Sequence, residues 1–397
     1  MRSFQQLIPL LQPGDAVFVR ADLNVPMADG VVTDHNRINA FLPTLQMLIA
    51  KKVRVALGTH LGRPQSTEAH LSTTIITNAL KDKLTCPVFH TDDSHFTKSS
   101  TAVFNDLPAG SVLVLENLRF DEREKLNDVD FAQSLVGPTK YFVNDAFGCC
   151  HRAHASVVAA AGLRPSYAGL LVEKEAQVLS HLRDSADRPF WVIAGGAKVR
   201  DKIGVLAQLS GKLDGIICGG GLANTILESR GIPVGSSKTE PDALPEVQNL
   251  LQDSTELVLP VDFKAGDRLQ DPTFTIDVMA GDSPPIGTSF LDIGPQSMAL
   301  FSKKLQQAAT IFWNGPVGVF ETPEFRKGTE AIASTLANHP GFVVIGGGDS
   351  AAAARSMGIA QNVCHVSTGG GAALEFLEGK TLPGLAPLFG SQEPTSE

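Results

Sequence analysis

Two hydrophobic periods alternate along this chain. Short apolar and β-branched runs read as buried strands. In the first half they are Asp15 to Asn24 (DAVFVRADLN), Val53 to Leu57, Pro87 to Phe89, Ser111 to Leu115 and Tyr141 to Val143. In the second half they are Phe190 to Ile193, Asp214 to Cys218, Thr255 to Asp262, Thr310 to Trp313, Gly341 to Ile345 and Cys364 to Val366. Helical spacing separates them. From His35 to Lys52 the apolar Ile38, Leu42, Leu45, Leu48 and Ile49 share one face. Leu71 to Leu84, Val129 to Val136, Leu222 to Arg230 and Ala372 to Leu377 also read as helices. Strand followed by helix, repeated throughout, implies βα units, a mostly parallel sheet and an α/β fold.

The pattern breaks once. Leu163 to Leu182 contains Pro165 and Gly169, turns helical from Val172, and gives way to the polar Asp184 to Pro189. We place a domain boundary there: a first domain at 1–170, a connecting helix at 171–184 and a second domain at 185–382. A helical connector favours hinge-like motion over free tumbling. The alternative is a surface helix of one large domain. A chain of 397 residues is comfortable for two.

Charge narrows the partners. A formal net charge of -9 argues against broad nucleic-acid or anionic-membrane binding. An acidic protein that binds an anion must therefore gather its cations locally. The cysteines (Cys86, Cys149, Cys150, Cys218, Cys364) show neither metal-site spacing nor a disulfide framework, which suits a reducing cytoplasm. Pro9 and Pro13 break the N-terminal apolar run, against a signal peptide, and no run approaches a membrane span.

Candidate chemistry falls just beyond strand ends, where open α/β sheets bind ligands. In the first half these positions carry Asp22, Asn24, His60, Arg63, Arg119, His151 and Arg152, with Arg37 near the start of a helix. Any one arginine could be a solvated surface residue. Recurrence at strand ends points instead to a small, multiply charged anion held by guanidinium forks. Asp22 and Asn24 would bond a hydroxyl or orient the arginines.

The second half carries five strand–glycine–helix turns. In FWVIAGGAKVRDKIGVL (Phe190 to Leu206), Gly195 and Gly196 turn the chain, and Lys198 and Lys202 stand at i and i+4 on the helix expected there. Glycines, free amides of a first helical turn and lysines together suit phosphate; the plain alternative is an ordinary turn with solvated lysines. The remaining turns are Gly219 to Gly221, Asn314 to Glu321, Gly346 to Ser350 and Ser367 to Gly371. The Walker pattern is absent. Gly346-x-Gly348-x-x-Ala351 fits a relaxed dinucleotide pattern, but Ser367-Thr368 stands where that fingerprint needs an acid, which discounts a nicotinamide cofactor. Asp349 is placed to hold a Mg²⁺ that bridges phosphates, or is only a helix cap. Glu321 could accept from ribose hydroxyls.

These residues fall in stretches that resemble one family along nearly the whole chain. VRADLNVP (Val19 to Pro26), HLGRP (His60 to Pro64), LENLRF (Leu115 to Phe120), NDAFG (Asn144 to Gly148), HRAHAS (His151 to Ser156), GGAKVRDKI (Gly195 to Ile203), WNGPVGVFE (Trp313 to Glu321), GGGDS (Gly346 to Ser350) and STGGGAALEFLEGK (Ser367 to Lys380) are similar to those of phosphoglycerate kinases. The resemblance implies two doubly wound, Rossmann-like parallel-sheet domains joined by a helix, in a bilobal hinge-bending kinase. It implies that Asp22, Asn24, Arg37, His60, Arg63, Arg119 and Arg152 bind 3-phosphoglycerate or 1,3-bisphosphoglycerate. It implies that Gly196, Lys198, Lys202, Gly220, Asn314, Glu321, Gly347, Gly348, Asp349 and Ser350 bind ADP or ATP, with Mg²⁺ on Asp349. Gly369, Gly370 and Gly371 would form an anion-binding helix start. The tail 383–397 would return to the first domain, and a cytoplasmic monomer is expected. The chain departs from the usual pattern at Ser350, Ala373, Gln296 and the Cys149-Cys150 pair. That pair leaves open a readily oxidised thiolate as against inert structural thiols.

The implied reaction passes the acyl phosphate of 1,3-bisphosphoglycerate to ADP, giving 3-phosphoglycerate and ATP. Its nucleophile is already an anion, so positioning and electrostatics would carry it. Arg37 and Lys198 would flank the moving phosphoryl after domain closure. Two rivals stand at this stage. A non-catalytic nucleotide-binding regulator would not need the arginine cluster. A sugar-acid or amino-acid binding protein would not need Lys198, Lys202 and Asp349.

Overall fold

The computed structural model describes residues 1–250 and 255–389. The chain divides into two compact units, one of Met1–Gln177 with the described stretch that begins at Thr381, the other Val178–Lys380.

In chain order the first unit contains α1 (Phe4–Leu7), β1 (Ala16–Ala21), a small hairpin of β2 (Met27–Ala28) and β3 (Val31–Val32), α2 (Asn36–Ala50), β4 (Arg54–Gly58), α3 (Thr74–Lys81), β5 (Val88–His90), α4 (Lys98–Asp106), β6 (Val112–Val114), α5 (Val129–Val136), β7 (Tyr141–Asp145), α6 (Ala159–Gly162) and β8 (Ser166–Ala168). Its sheet is parallel throughout, in the order β5-β6-β4-β1-β7-β8. Alternate residues of β1 enter different cores. Val17, Val19 and Ala21 pack with Ile38, Phe41, Leu45 and Leu48 of α2. Ala16 and Phe18 pack with Phe104, Phe131, Leu135 and Phe142. Helices thus cover both faces, which is why these strands read as nearly continuous apolar runs. Gly58 is required on β4, since a Cβ there would stand 2.6 Å from the Phe18 ring.

Helix α7 (Leu170–Asp184) carries the boundary between units, which falls between Gln177 and Val178. The second unit continues with β9 (Phe190–Ala194), α8 (Arg200–Leu209), β10 (Gly215–Cys218), α9 (Gly220–Ser229), α10 (Leu244–Leu250), β11 (Glu256–Val258), β12 (Asp262–Gly266), β13 (Thr275–Met279), β14 (Ser289–Ile293), α11 (Pro295–Leu305), β15 (Thr310–Asn314), α12 (Lys327–Ala337), β16 (Phe342–Gly346), α13 (Gly348–Ser356), β17 (His365–Val366) and α14 (Gly371–Leu377). Its parallel sheet runs β11-β10-β9-β15-β16-β17. One face buries Trp191, Ile193, Ile311, Trp313, Val343 and Ile345 against Phe301, Leu305, Ile332 and Leu336.

Two expectations are corrected here. Thr255 to Asp262 is not one strand. Pro260, which has no amide hydrogen to give a ladder, separates β11 from β12. β12 then starts a separate antiparallel sheet, β13-β12-β14, that the strand–helix reading did not foresee. And α8 begins at Arg200, so Lys198 lies in the turn before the helix and shares no helix face with Lys202.

The described end of the chain packs on the first unit. Arg2 donates its amide to the Leu388 carbonyl at 2.7 Å, and Gly384 donates its own to the Cys150 carbonyl at 2.9 Å. Residues 390–397 of the expected tail lie outside the described residues. Among the described residues no helix is long and apolar enough to cross a membrane.

Candidate functional site

Each unit gathers polar groups at one end of its central strands. In the first, β1 lies between β4 and β7, where the strand order reverses, and the loops that follow β1, β4 and β6 are tied together. Leu23 donates its amide to Thr59 Oγ1 at 3.0 Å, and Gly62 donates its own to Asn24 Oδ1 at 2.8 Å. Arg119 Nη1 donates to the Gly62 carbonyl at 2.6 Å. Asn117 Nδ2 donates to the Leu61 and Leu71 carbonyls, both at 2.9 Å. The Asn24 oxygen is therefore engaged with backbone. Asp22 pairs with Arg37 Nη1. Arg152 Nε donates to His151 Nε2 at 3.1 Å.

His60 lies at the middle of this arrangement, only 4% exposed. Burial holds its pKa well below the usual histidine range, and the charges of Arg20, Arg119, Arg37 and Arg152 push the same way. Both effects disfavour a charged ring. Of the expected residues, Asp22, Arg37, His60, Arg119 and Arg152 converge, while Arg63 is exposed on the turn that Asn24 and Arg119 hold. Ligand atoms of Asp22, His60 and Cys149 lie within 4.8 Å of one another. The guanidiniums that act on His60 there oppose a cation.

Sequence reasoning missed Arg20 and Glu124. Arg20, 1% exposed on β1, donates from Nε to Ser156 Oγ at 2.7 Å. Glu124, fully buried, accepts from the Ser156 hydroxyl at 2.6 Å and the Ser156 amide at 2.9 Å. A charged residue inside the otherwise apolar run AVFVRA was the available signal. Of the two readings of the cysteine pair, burial favours the inert one. Burial pushes Cys149 up to about 11 and Cys150 higher still, so both are thiols near neutrality.

In the second unit the strand order reverses between β9 and β15, and their turns touch backbone to backbone. Gly195 donates its amide to the Asn314 carbonyl at 3.0 Å, Gly196 to that of Pro316 at 2.7 Å, and Gly221 to that of Gly196 at 2.9 Å. A Cβ on Gly195 would stand 2.2 Å from the Pro316 carbonyl oxygen. Gly220, at φ 53°, would put one 2.4 Å from the Gly196 oxygen. The glycines first of all let the turns stack.

These turns border a cleft of about 390 Å³. Of the expected residues, Gly196, Gly220, Glu321 and Asp349 line it. Lys198 is exposed in its turn. Lys202 is buried with Nζ 3.3 Å from where a Gly196 Cβ would be, and burial lowers its pKa against the pull of Asp201, Asp349 and Glu240. Asn314 is buried beside Gly347. Ser350 is fully buried, its hydroxyl taken by the Gly315 amide at 2.5 Å, so it holds a turn and does not line the cleft. Gly348 and Asp349 are exposed at the start of α13, and a Cβ on Gly348 would meet nothing within 4 Å. Gly369 and Gly370 precede α14, which begins at Gly371 and is a short helix. The antiparallel sheet supplies an apolar wall that the sequence reading did not name: Phe263, Phe290 and Leu291, with Val317 and Val319 from the turn after β15. The Phe263 and Phe290 rings stack with centroids 4.0 Å apart.

The Asp349 carboxylate fits a divalent cation in its chemistry. It is exposed, lines the cleft and begins a helix, and Mg²⁺ is commonly held by one or two carboxylates with phosphates and water.

Comparison with known proteins covers nearly the whole chain. The family model described as phosphoglycerate kinase matches residues 11–380. The phosphoglycerate kinase of Streptomyces avermitilis is 43% identical, over 98% of this chain and 100% of that protein. That of Thermomicrobium roseum is 44% identical over 94% and 96%. Among solved structures, the phosphoglycerate kinase of Coxiella burnetii aligns with a TM-score of 0.82 at 35% identity, covering 95% of this chain and 96% of that one. That of Pyrococcus horikoshii OT3 gives 0.84 at 30% identity, with 98% of each covered. Both parallel sheets, their order and the extent of these matches lead to one conclusion: the chain belongs to the phosphoglycerate kinase family.

Proposed function

We propose that this chain catalyses the reversible transfer of the acyl phosphate of 1,3-bisphosphoglycerate to ADP, giving 3-phosphoglycerate and ATP. A β-phosphate oxygen of ADP attacks the acyl phosphorus, the phosphorus–acyl oxygen bond breaks, and the carboxylate leaves with the electron pair. No proton needs to be removed, which suits a pocket whose histidine is neutral and whose carboxylate, Asp22, is paired with Arg37.

The observation that carries the reading is the gathering of Arg37, Arg119 and Arg152 near buried His60, of which Asp22 pairs with Arg37 alone, a cluster whose positive charge suits a multiply charged anion. On this reading Asp22, Asn24, Arg37, His60, Arg63, Arg119 and Arg152 serve the acid. Gly196, Lys202, Gly220, Asn314, Glu321, Gly347, Gly348 and Asp349 serve the nucleotide, Lys198 faces the transferred phosphoryl, and Ser350 holds a turn. The apolar wall at Phe263 and Phe290 takes the base. Mg²⁺ bound at Asp349 would offset phosphate charge. Arg37 and Lys198 stabilise charge on the moving group, and hinge bending brings the two substrates together. We place the protein in the cytoplasm as a monomer.

A coupled assay for ATP formation from ADP and 1,3-bisphosphoglycerate tests this. ATP formed in proportion to enzyme supports it. A folded protein that forms none, yet binds either substrate, returns one of the two binding-protein readings.

A further inference from the structure

The contact between Arg20 and His60 fixes more than position. Arg20 Nη2 lies 3.2 Å from His60 Nδ1. A guanidinium has five donors and no acceptor. The bond can form only if Nδ1 carries a lone pair, and a neutral imidazole with a bare Nδ1 has its proton on Nε2. The Cys149 sulfur, 3.9 Å from Nδ1, is also able to donate, and a carboxylate oxygen of Asp22 lies within 4.8 Å of a ring nitrogen. Arg20 cannot swing away. Its Nε is held by Ser156 Oγ at 2.7 Å, its Nη1 by the Ala21 carbonyl, and Ser156 is anchored by both oxygens of buried Glu124.

We propose that Arg20 is a positioning residue that locks His60 as the neutral tautomer protonated on Nε2, so that His60 meets the acid substrate as a hydrogen-bond donor and not as a cation. The chain of bonds Glu124–Ser156–Arg20–His60 sets the donor from behind. This separates two tasks that histidine usually combines. Charge in the pocket comes from the guanidiniums of Arg37, Arg119 and Arg152. Direction comes from the Nε2 proton, which does not titrate away. The charged and titratable groups around the ring are Arg20 on β1, Asp22 after it, Arg37 on α2, Arg119 after β6, and Cys149 and Arg152 after β7. The guanidiniums among them oppose a proton on Nδ1. The inference rests on reading this cluster as the acid-substrate site, but its tautomer half does not.

The test is multiple-bond ¹⁵N–¹H spectroscopy of the full chain labelled in histidine, without substrate, from about pH 5.5 to about pH 8, the ordinary titration range of histidine. His60 is assigned by the signal lost in His60→Gln. We expect one neutral ring across the range, with a protonated Nε2 and a bare Nδ1. A proton on Nδ1, or a charged ring within that range, overturns the proposal whatever the variants do. In Arg20→Met the ring should titrate inside the window or populate both tautomers. In Arg20→Lys, which keeps a donor, the Nε2 tautomer should return. The KM for 3-phosphoglycerate should be insensitive to pH through His60 in the wild type, and should become pH-dependent in Arg20→Met with kcat less affected. A tautomer that shifts while KM does not would overturn the donor role. A wild type with the expected tautomer but no turnover would sink the proposed reaction and leave the lock standing.

Discussion

The hydroxyl of Ser350 accepts a hydrogen bond from the amide of Gly315 at 2.5 Å, and both residues are buried. The first turn of α13 is thereby fastened to the turn after β15. Removing the hydroxyl strands a buried amide, at a cost of about 1–3 kcal/mol. Ser350→Ala should lower the urea midpoint accordingly, and Ser350→Thr should not. An unchanged midpoint in the alanine variant would show that the bond does not hold the turn.

Two glycines should separate packing from ligand contact. Gly195→Ala places a Cβ 2.2 Å from the Pro316 carbonyl oxygen and 2.5 Å from that of Gly315, and backbone cannot yield as a flexible side chain would. It should lose both stability and nucleotide binding. Gly348→Ala meets nothing within 4 Å and lies at a helix start. It should keep its stability or gain about 0.5–1 kcal/mol, while the KM for nucleotide rises. Thermal melting beside nucleotide kinetics reads both, and equal behaviour of the two variants contradicts the assignment.

Asp145 gives a pH signature. It is fully buried at the end of β7, accepts from the amides of Leu171 at 2.9 Å and Val172 at 3.2 Å, and burial pushes its carboxyl up to about 7. In the unfolded chain the carboxyl ionises near its ordinary value of 3.8. Below that value the group costs the fold nothing. As pH rises from there to about 7, the unfolded chain releases a proton that the folded chain retains, and stability falls. The upper limit of the loss is about 4 kcal/mol. Asp145→Asn keeps an acceptor for the two amides and removes the titration. The stability of the variant relative to wild type should therefore improve from about pH 5 to about pH 8. Parallel urea titrations at the two values would show a constant difference if the carboxyl were ionised throughout.

Lys198 and Arg63 should fail differently. Lys198→Ala is expected to lower kcat on the order of 10³, the low end of what a cation on a transferring phosphoryl contributes, with a modest change in nucleotide affinity. Arg63→Ala should raise the KM for 3-phosphoglycerate roughly tenfold, the worth of one charge-assisted bond. Steady-state kinetics decides. Near-normal turnover without Lys198, or unchanged acid affinity without Arg63, removes that residue from its role.

The parallel sheets were legible because strands covered on both faces have no polar alternation to confuse with a surface. The antiparallel sheet was not. Its middle strand follows Pro260 so closely that TELVLPVD reads as a single run, and β13 mixes Asp277 with exposed Ile276 and Met279. The cleft wall at Phe263 and Phe290 was hidden with it. Lys198 was assigned to a helix because i, i+4 spacing carries no mark of where the first helical turn begins. Ser350 looked free for a ligand because a hydroxyl in a glycine turn has the same spelling whether it faces solvent or a neighbouring amide. Arg20 stood in view within an apolar strand, but its partners Ser156 and Glu124 are distant in sequence.

The bond between Arg2 and Leu388 has a consequence for synthesis. A ribosome releases this polypeptide from one end, and the described stretch from Thr381 belongs to the unit that began with Met1. The intervening Val178–Lys380 is translated before that later piece. The usual N-terminal-first order of maturation is therefore interrupted, since the unit translated first still needs residues made after the second.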